Sequence, residues 1–266
     1  MFDNHMHSNF SADCEAPMEE MINAAIHKRI KEISFTEHID YDYPDLTITF
    51  DVDLNRYTKQ VHDMQSKYSS MINIRKGIEI GIQPHLPERY HTLLTEEEFD
   101  FIICSMHTTD RKDLHSGRLF EGQSLNDAYE KYYTELYECV KNFDQFSILG
   151  HLDLVTRYKY EEGVYHFLDI IEEIFKIIIP RGQGIEINTS GYKYGMNRLL
   201  PSRDILQLYY DMGGEIITVG SDAHRPDRVG DRIGEAYQLL QEIGFNYVST
   251  FENRNPTFHK LPQLIG

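Results

Sequence analysis

The stretch Asp3-Asn4-His5-Met6-His7-Ser8 opens the chain. Read as a β-strand, its period-2 alternation puts His5 and His7 on one face and Met6 on the other. Two neighbouring imidazoles can grip one cation, and neutral imidazole is a preferred ligand of zinc, iron and manganese. The same construction returns along the whole sequence, as a short apolar run that ends on histidine or a carboxylate. It appears as Thr36-Glu37-His38, Gly77-Ile78-Glu79, Ser105-Met106-His107, Gly150-His151-Leu152-Asp153 and Ser221-Asp222-Ala223-His224. An open parallel sheet gathers ligands chiefly at one switch point. A closed barrel directs every strand C-terminus into one mouth. Polar ligands after nearly every strand therefore predict an α/β barrel.

Working outward, strands and amphipathic helices alternate. Strands are expected at 2–7, 32–36, 72–80, 99–105, 146–150, 184–188 and 215–219, with a short last one at 246–251. Helices are expected at 17–30, 53–68, 124–143, 164–179, 203–212 and 232–243. Met18, Met21, Ile22, Ala25 and Ile26 form one stripe of the first helix, and Ser124 is placed to cap the third. Such alternation, with no Gly/Ser linker or repeat, argues a parallel sheet in one domain over residues 1–266. The long loops at 41–52 and 108–123 are expected to overhang the mouth.

Composition narrows the function classes. Apolar residues make up 41% of the 266, enough for a sizeable core without staples. The three cysteines, Cys14, Cys104 and Cys139, are odd in number and form no CxxC pair, which fits a reducing cytoplasm. No apolar stretch approaches the roughly 20 residues that span a bilayer. The formal net charge is −17, and no basic run exceeds two residues. A nucleic-acid partner is therefore not expected. A small phosphate ester stays open, because bound cations reverse the local field.

Asp222-Ala223-His224 repeats the alternation of His5 and His7 behind a Gly220-Ser221 turn. Glu79 lies between Ile78 and Ile80, where a carboxylate is costly to bury unless it is paired or ligates metal. These motifs, in this order from residue 3 to residue 224, resemble the polymerase and histidinol phosphatase superfamily of metal-dependent phosphoesterases. The length resembles its monofunctional histidinol-phosphate phosphatase branch. The resemblance implies a distorted seven-stranded (β/α) barrel, TIM-like, with three divalent ions that can be zinc, iron or manganese. By match of position, His5, His7, Glu79 and Asp222 hold the first ion. Glu79, His107 and His151 hold the second, and Asp13, His38 and His224 the third. Glu37 is either a further ligand or a partner of His38, and Asp3 and Asp153 support ligands from behind.

The implied reaction is hydrolysis of L-histidinol phosphate, in histidine biosynthesis, by a metal-activated hydroxide. Arg157, six residues past His151, and Arg198, past the Glu186-x-Asn188 strand end, are the candidates for the phosphate oxygens, since the guanidinium fork suits them. Asp222 is the candidate for proton transfer to the leaving alkoxide. His115, on a mouth loop, is the one other histidine with an open role. The alternatives are a phosphodiesterase or exonuclease on the same scaffold and a metal-binding regulatory module without turnover.

Overall fold

The computed structural model describes residues 1–160 and 167–262. Seven parallel strands make one sheet in sequence order: β1 (Phe2–Met6), β2 (Glu32–Ile39), β3 (Asn73–Gly81), β4 (Phe101–Ser105), β5 (Ile148–Leu149), β6 (Gly184–Asn188) and β7 (Ile217–Gly220). The sheet curls until its ends meet. The N–H of Asp222 donates to His5 O at 2.8 Å, and that of His7 to Ala223 O at 2.9 Å. Closure thus runs through the same residues that the sequence marks as ligands, which sets β1 and the 221–224 segment in fixed register.

Helices α1 (Met18–His27), α2 (Leu54–Tyr68), α3 (Pro87–Glu96), α4 (Leu125–Asn142), α5 (Val155–Tyr158), α6 (Leu168–Ile178), α7 (Arg203–Asp211) and α8 (Ile233–Ile243) surround the strands. The start expected for α6, at 164–166, lies outside the described residues. Asp53 caps α2 by accepting from the Arg56 N–H. Ser124 and Asp127 cap α4 reciprocally, each side chain accepting the other's N–H.

Alternation along the strands divides the interior. Outward residues such as Met6, Ile78 and Ile80 join the large core beneath the helices. Inward residues split into two layers. Phe101, Ile103 and Ile148 form a small apolar plug with Phe251, while His5, Glu79 and Glu186, all without solvent exposure, form the polar layer. Phe251 belongs to an antiparallel hairpin of β8 (Tyr247–Glu252) and β9 (Asn255–Lys260) outside the barrel sheet. Its turn is anchored at the entry to β4, where Asp100 O accepts from the Arg254 N–H. The hairpin closes the barrel's N-terminal end, so the polar layer opens only toward the strand C-termini.

Candidate metal centre

Glu79 stands at the centre of the polar layer. Its Oε2 faces His5 Nε2 at 3.0 Å, His38 Nδ1 at 3.2 Å and His7 Nε2 at 3.5 Å. Its Oε1 faces His151 Nε2 at 3.0 Å and His107 Nε2 at 3.3 Å, and accepts from Ser105 Oγ at 2.6 Å. One carboxylate thereby serves two sets of imidazoles, one per oxygen. Asp222, in the left-handed region at φ 53°, turns Oδ1 toward His7 Nε2 at 3.5 Å and His5 Nε2 at 3.8 Å. Asp13 Oδ2 lies 3.2 Å from His224 Nε2 and 3.8 Å from His38 Nε2. His38 therefore spans two groups.

The ring nitrogens that point away from the centre decide its chemistry. His5 Nδ1 donates to Glu186 Oε1 at 2.6 Å, and His107 Nδ1 to Asp40 Oδ2 at 2.7 Å. His224 Nδ1 donates to the Asp222 carbonyl at 3.0 Å. For His7 the direction follows from its neighbour. The single Ser11 hydroxyl proton goes to Glu37 Oε2 at 2.6 Å, so the hydroxyl oxygen accepts from His7 Nδ1 at 3.1 Å. In its neutral form each of these rings then presents an Nε2 lone pair to the centre. Lone pairs of His5, His7 and His107 meet those of Glu79 at 3.0–3.5 Å, an arrangement that repels unless positive charge lies between. Donors about 2.1 Å from one tetrahedral zinc stand roughly 3.4 Å apart, so the spacing is that of ligands around a shared ion. Four triplets of the described residues bring their donor atoms within 4.8 Å of one another: His5-His7-Asp222, His5-Glu79-His151, His38-Glu79-His107 and His7-His38-His224. The donor set fits divalent cations.

Electrostatics agree. Burial opposes the charge on Glu79, but His5, His38 and His107 overcome it and hold the carboxyl well below its usual range. Asp222 is depressed in the same way, by His5, His7 and His224 against burial. Burial also works against a charged His5, yet Glu186 and Glu79 raise it well above the ordinary imidazole value. His7 goes the other way, lowered by burial and by the neighbouring His224 and His38.

Above the centre lies a 490 Å³ cavity. The two long loops overhang it as expected, contributing Tyr43, Asp45 and Phe50 from one and Asp113 and His115 from the other. Arg157 reaches the cavity wall, donating to Asp222 Oδ2 at 3.4 Å, Ser190 Oγ at 3.1 Å and Tyr158 OH at 3.0 Å.

A PHP domain model matches residues 3–190. This chain belongs to the PHP domain family. Its relatives include a histidinol-phosphatase of Lactococcus lactis, 30% identical over 94% of this chain and 93% of that protein. A probable histidinol-phosphatase of Clostridium acetobutylicum is 30% identical over 96% and 98%. The crystal structure of histidinol phosphate phosphatase from Lactococcus lactis, complexed with zinc, L-histidinol and phosphate, superposes with a TM-score of 0.86 at 28% identity, over 96% of this chain and 98% of that one.

Within this PHP barrel, His5, His7, His38, Glu79, His107, His151, Asp222 and His224 converge, with Asp13 at the rim. Glu37 points away from the centre, held by Ser8 N, Ser8 Oγ and Ser11 Oγ, so it acts on His7 through Ser11. Asp3 clamps the 221–230 segment by accepting from Ser221 N, Ser221 Oγ and Gly230 N. Arg198, expected at the phosphate, does not line the cavity. It pairs with Asp153 at 3.0 Å and donates to Thr156 Oγ1 at 2.6 Å. Asp40 and Glu186 are missing from the sequence-level set. The signal for Glu186 is present in Gly184-Ile185-Glu186-Ile187, which repeats Gly77-Ile78-Glu79-Ile80.

Proposed function

We propose that this chain is a metal-dependent phosphoric monoester hydrolase that converts L-histidinol phosphate and water to L-histidinol and inorganic phosphate, a step of histidine biosynthesis. The observation that carries the reading is Glu79, whose two oxygens face separate imidazole sets on the floor of a cavity walled by Arg157. The relatives named as histidinol-phosphatases and the zinc, L-histidinol and phosphate complex of one of them support the substrate.

The assignment is three divalent ions, of zinc, iron or manganese. His5, His7, Glu79 and Asp222 hold one, Glu79, His107 and His151 a second, and Asp13, His38 and His224 the third. When bound, such ions acidify water and offset charge on phosphoryl oxygens. The chain's own groups do the rest. Arg157 binds a non-bridging phosphate oxygen by a charge-assisted bond. Asp222, whose Oδ2 faces the Arg157 wall of the cavity at 3.4 Å, is assigned the proton transfer: the water oxygen bonds to phosphorus, its proton passes by way of Asp222 to the alkoxide oxygen, and the P–O ester bond breaks. We assign residues 1–266 to one domain and the protein to the cytoplasm, with no nucleic-acid partner. Its three thiols are free and buried, and no helix among the described residues is long and apolar enough to cross a membrane.

A substrate panel tests the reaction. Phosphate release from L-histidinol phosphate should exceed cleavage of bis-p-nitrophenyl phosphate and of a single-stranded oligonucleotide by orders of magnitude. Faster cleavage of either diester refutes the monoesterase reading, and turnover of none of the three refutes an enzyme.

The arginines are separable. Arg157→Ala should lower kcat/KM by about 2 kcal/mol, roughly thirtyfold, with metal content unchanged. Arg198→Ala leaves Asp153 buried without its cation, so its main effect should be a lower Tm. Equal kinetic losses at equal Tm would place both guanidinium groups on the phosphate.

A further inference from the structure

Glu186 has no solvent exposure, does not line the cavity, and pairs with no lysine or arginine among the described residues. Its two oxygens serve two different segments. Oε1 accepts from His5 Nδ1 at 2.6 Å, while Oε2 accepts from the backbone N–H of His151 at 2.9 Å and from Asn188 Nδ2 at 3.2 Å. The orientation of Asn188 is fixed as well, because its Oδ1 accepts from the Ser190 N–H at 2.9 Å. Ser190 Oγ donates to the same Oδ1 and accepts from Arg157. A continuous hydrogen-bond chain thus joins Arg157 to His5. The slot around the carboxylate has no slack. A Cβ on Gly220 would strike the side chain of His5 and come within 2.5 Å of Glu186 Oε1, and one on Gly150 would come within 2.5 Å of Ser105 Oγ.

We propose that Glu186 is a positioning residue that locks His5 in the Nδ1–H tautomer, aims its Nε2 lone pair at the metal centre, and holds His151 in register through its backbone. The proposal rests on the reading of the centre as a metal site. Its discriminating consequence comes from hydrogen-bond polarity. Both oxygens of Glu186 face donors, and glutamine offers one acceptor and one donor. The His151 N–H cannot change, so the amide oxygen of a Glu186→Gln side chain must turn to it. The amide NH2 then faces His5 Nδ1 and forces the ring proton to Nε2, where it points at the ions. Alanine removes the carboxylate without supplying a wrong-way donor. Metal affinity should therefore fall further in Glu186→Gln than in Glu186→Ala, although glutamine is the closer fit in shape. Thermal stability should fall in the reverse order. A group that only fills space would give glutamine the milder loss in both measurements.

The test titrates chelator-stripped wild type and both variants with zinc in competition with a chromophoric chelator, with Tm measured in parallel. Glu186→Gln should weaken at least one ion by roughly 10–100-fold. Wild-type affinity in folded Glu186→Gln, or a smaller loss there than in Glu186→Ala, overturns the proposal. A long-range 1H–15N spectrum of the zinc-loaded wild type tests it without any variant: His5 should carry its proton on Nδ1, and a ring protonated on Nε2 overturns it. Wild-type protein that takes up no zinc overturns the metal reading itself, and the proposal with it.

Discussion

Glu79→Gln should lower kcat/KM for L-histidinol phosphate by three or more orders of magnitude, with little change in secondary structure. The carboxylate carries the one negative charge shared by His5, His7 and His38 on one side and His107 and His151 on the other. Glutamine keeps the shape and removes that charge. It also turns an NH2 toward one imidazole set, where it donates into a lone pair needed for an ion. Removing one partner of a buried charge cluster costs about 3–5 kcal/mol, and about 4 kcal/mol corresponds to a thousandfold in rate. Elemental analysis of the variant should return fewer ions than the wild type. Near-normal turnover with full metal content would place Glu79 outside the reaction.

The prominence of Glu79 was legible because burial of a lone carboxylate between two isoleucines demands an explanation. The closed barrel was legible for a related reason, since polar residues end nearly every apolar run and only closure brings all those ends together. Glu186 satisfies the same criterion as Glu79, lying between Ile185 and Ile187; what no spacing rule supplies is its partner, His5, 181 residues away in the sequence. Helix α3 escaped because its ten residues carry only Tyr90, Leu93 and Leu94 as buried contacts, too few for a visible stripe. The C-terminal hairpin escaped because its turn is Asn253-Arg254, with φ 49° and 63°. Such a turn is usually signalled by Asn-Gly. β9 also lacks apolar alternation, being exposed along most of its length. The division of labour between Arg157 and Arg198 depends on a contact with Asp153 that no spacing rule supplies.

Metal removal should have the largest effect. Exhaustive chelation should reduce phosphate release to background, and added zinc or manganese should restore it. On the proposed assignment, about three ions per chain should bind at saturation. Stability should follow occupancy. In the metal-free chain, the buried lone pairs of a neutral His7 and an ionised Asp222 face each other at 3.5 Å. An ion that binds only the folded chain stabilises it by about 2.7 kcal/mol at a free concentration 100 times its Kd. Tm should therefore rise stepwise as the stripped protein is titrated, with successive gains as the sites fill. Saturation at one ion, or full activity in the chelated protein, would remove the trinuclear assignment. A Tm indifferent to metal would mean that protons alone neutralise Glu79 and Asp222, and that these histidines serve the fold rather than the reaction.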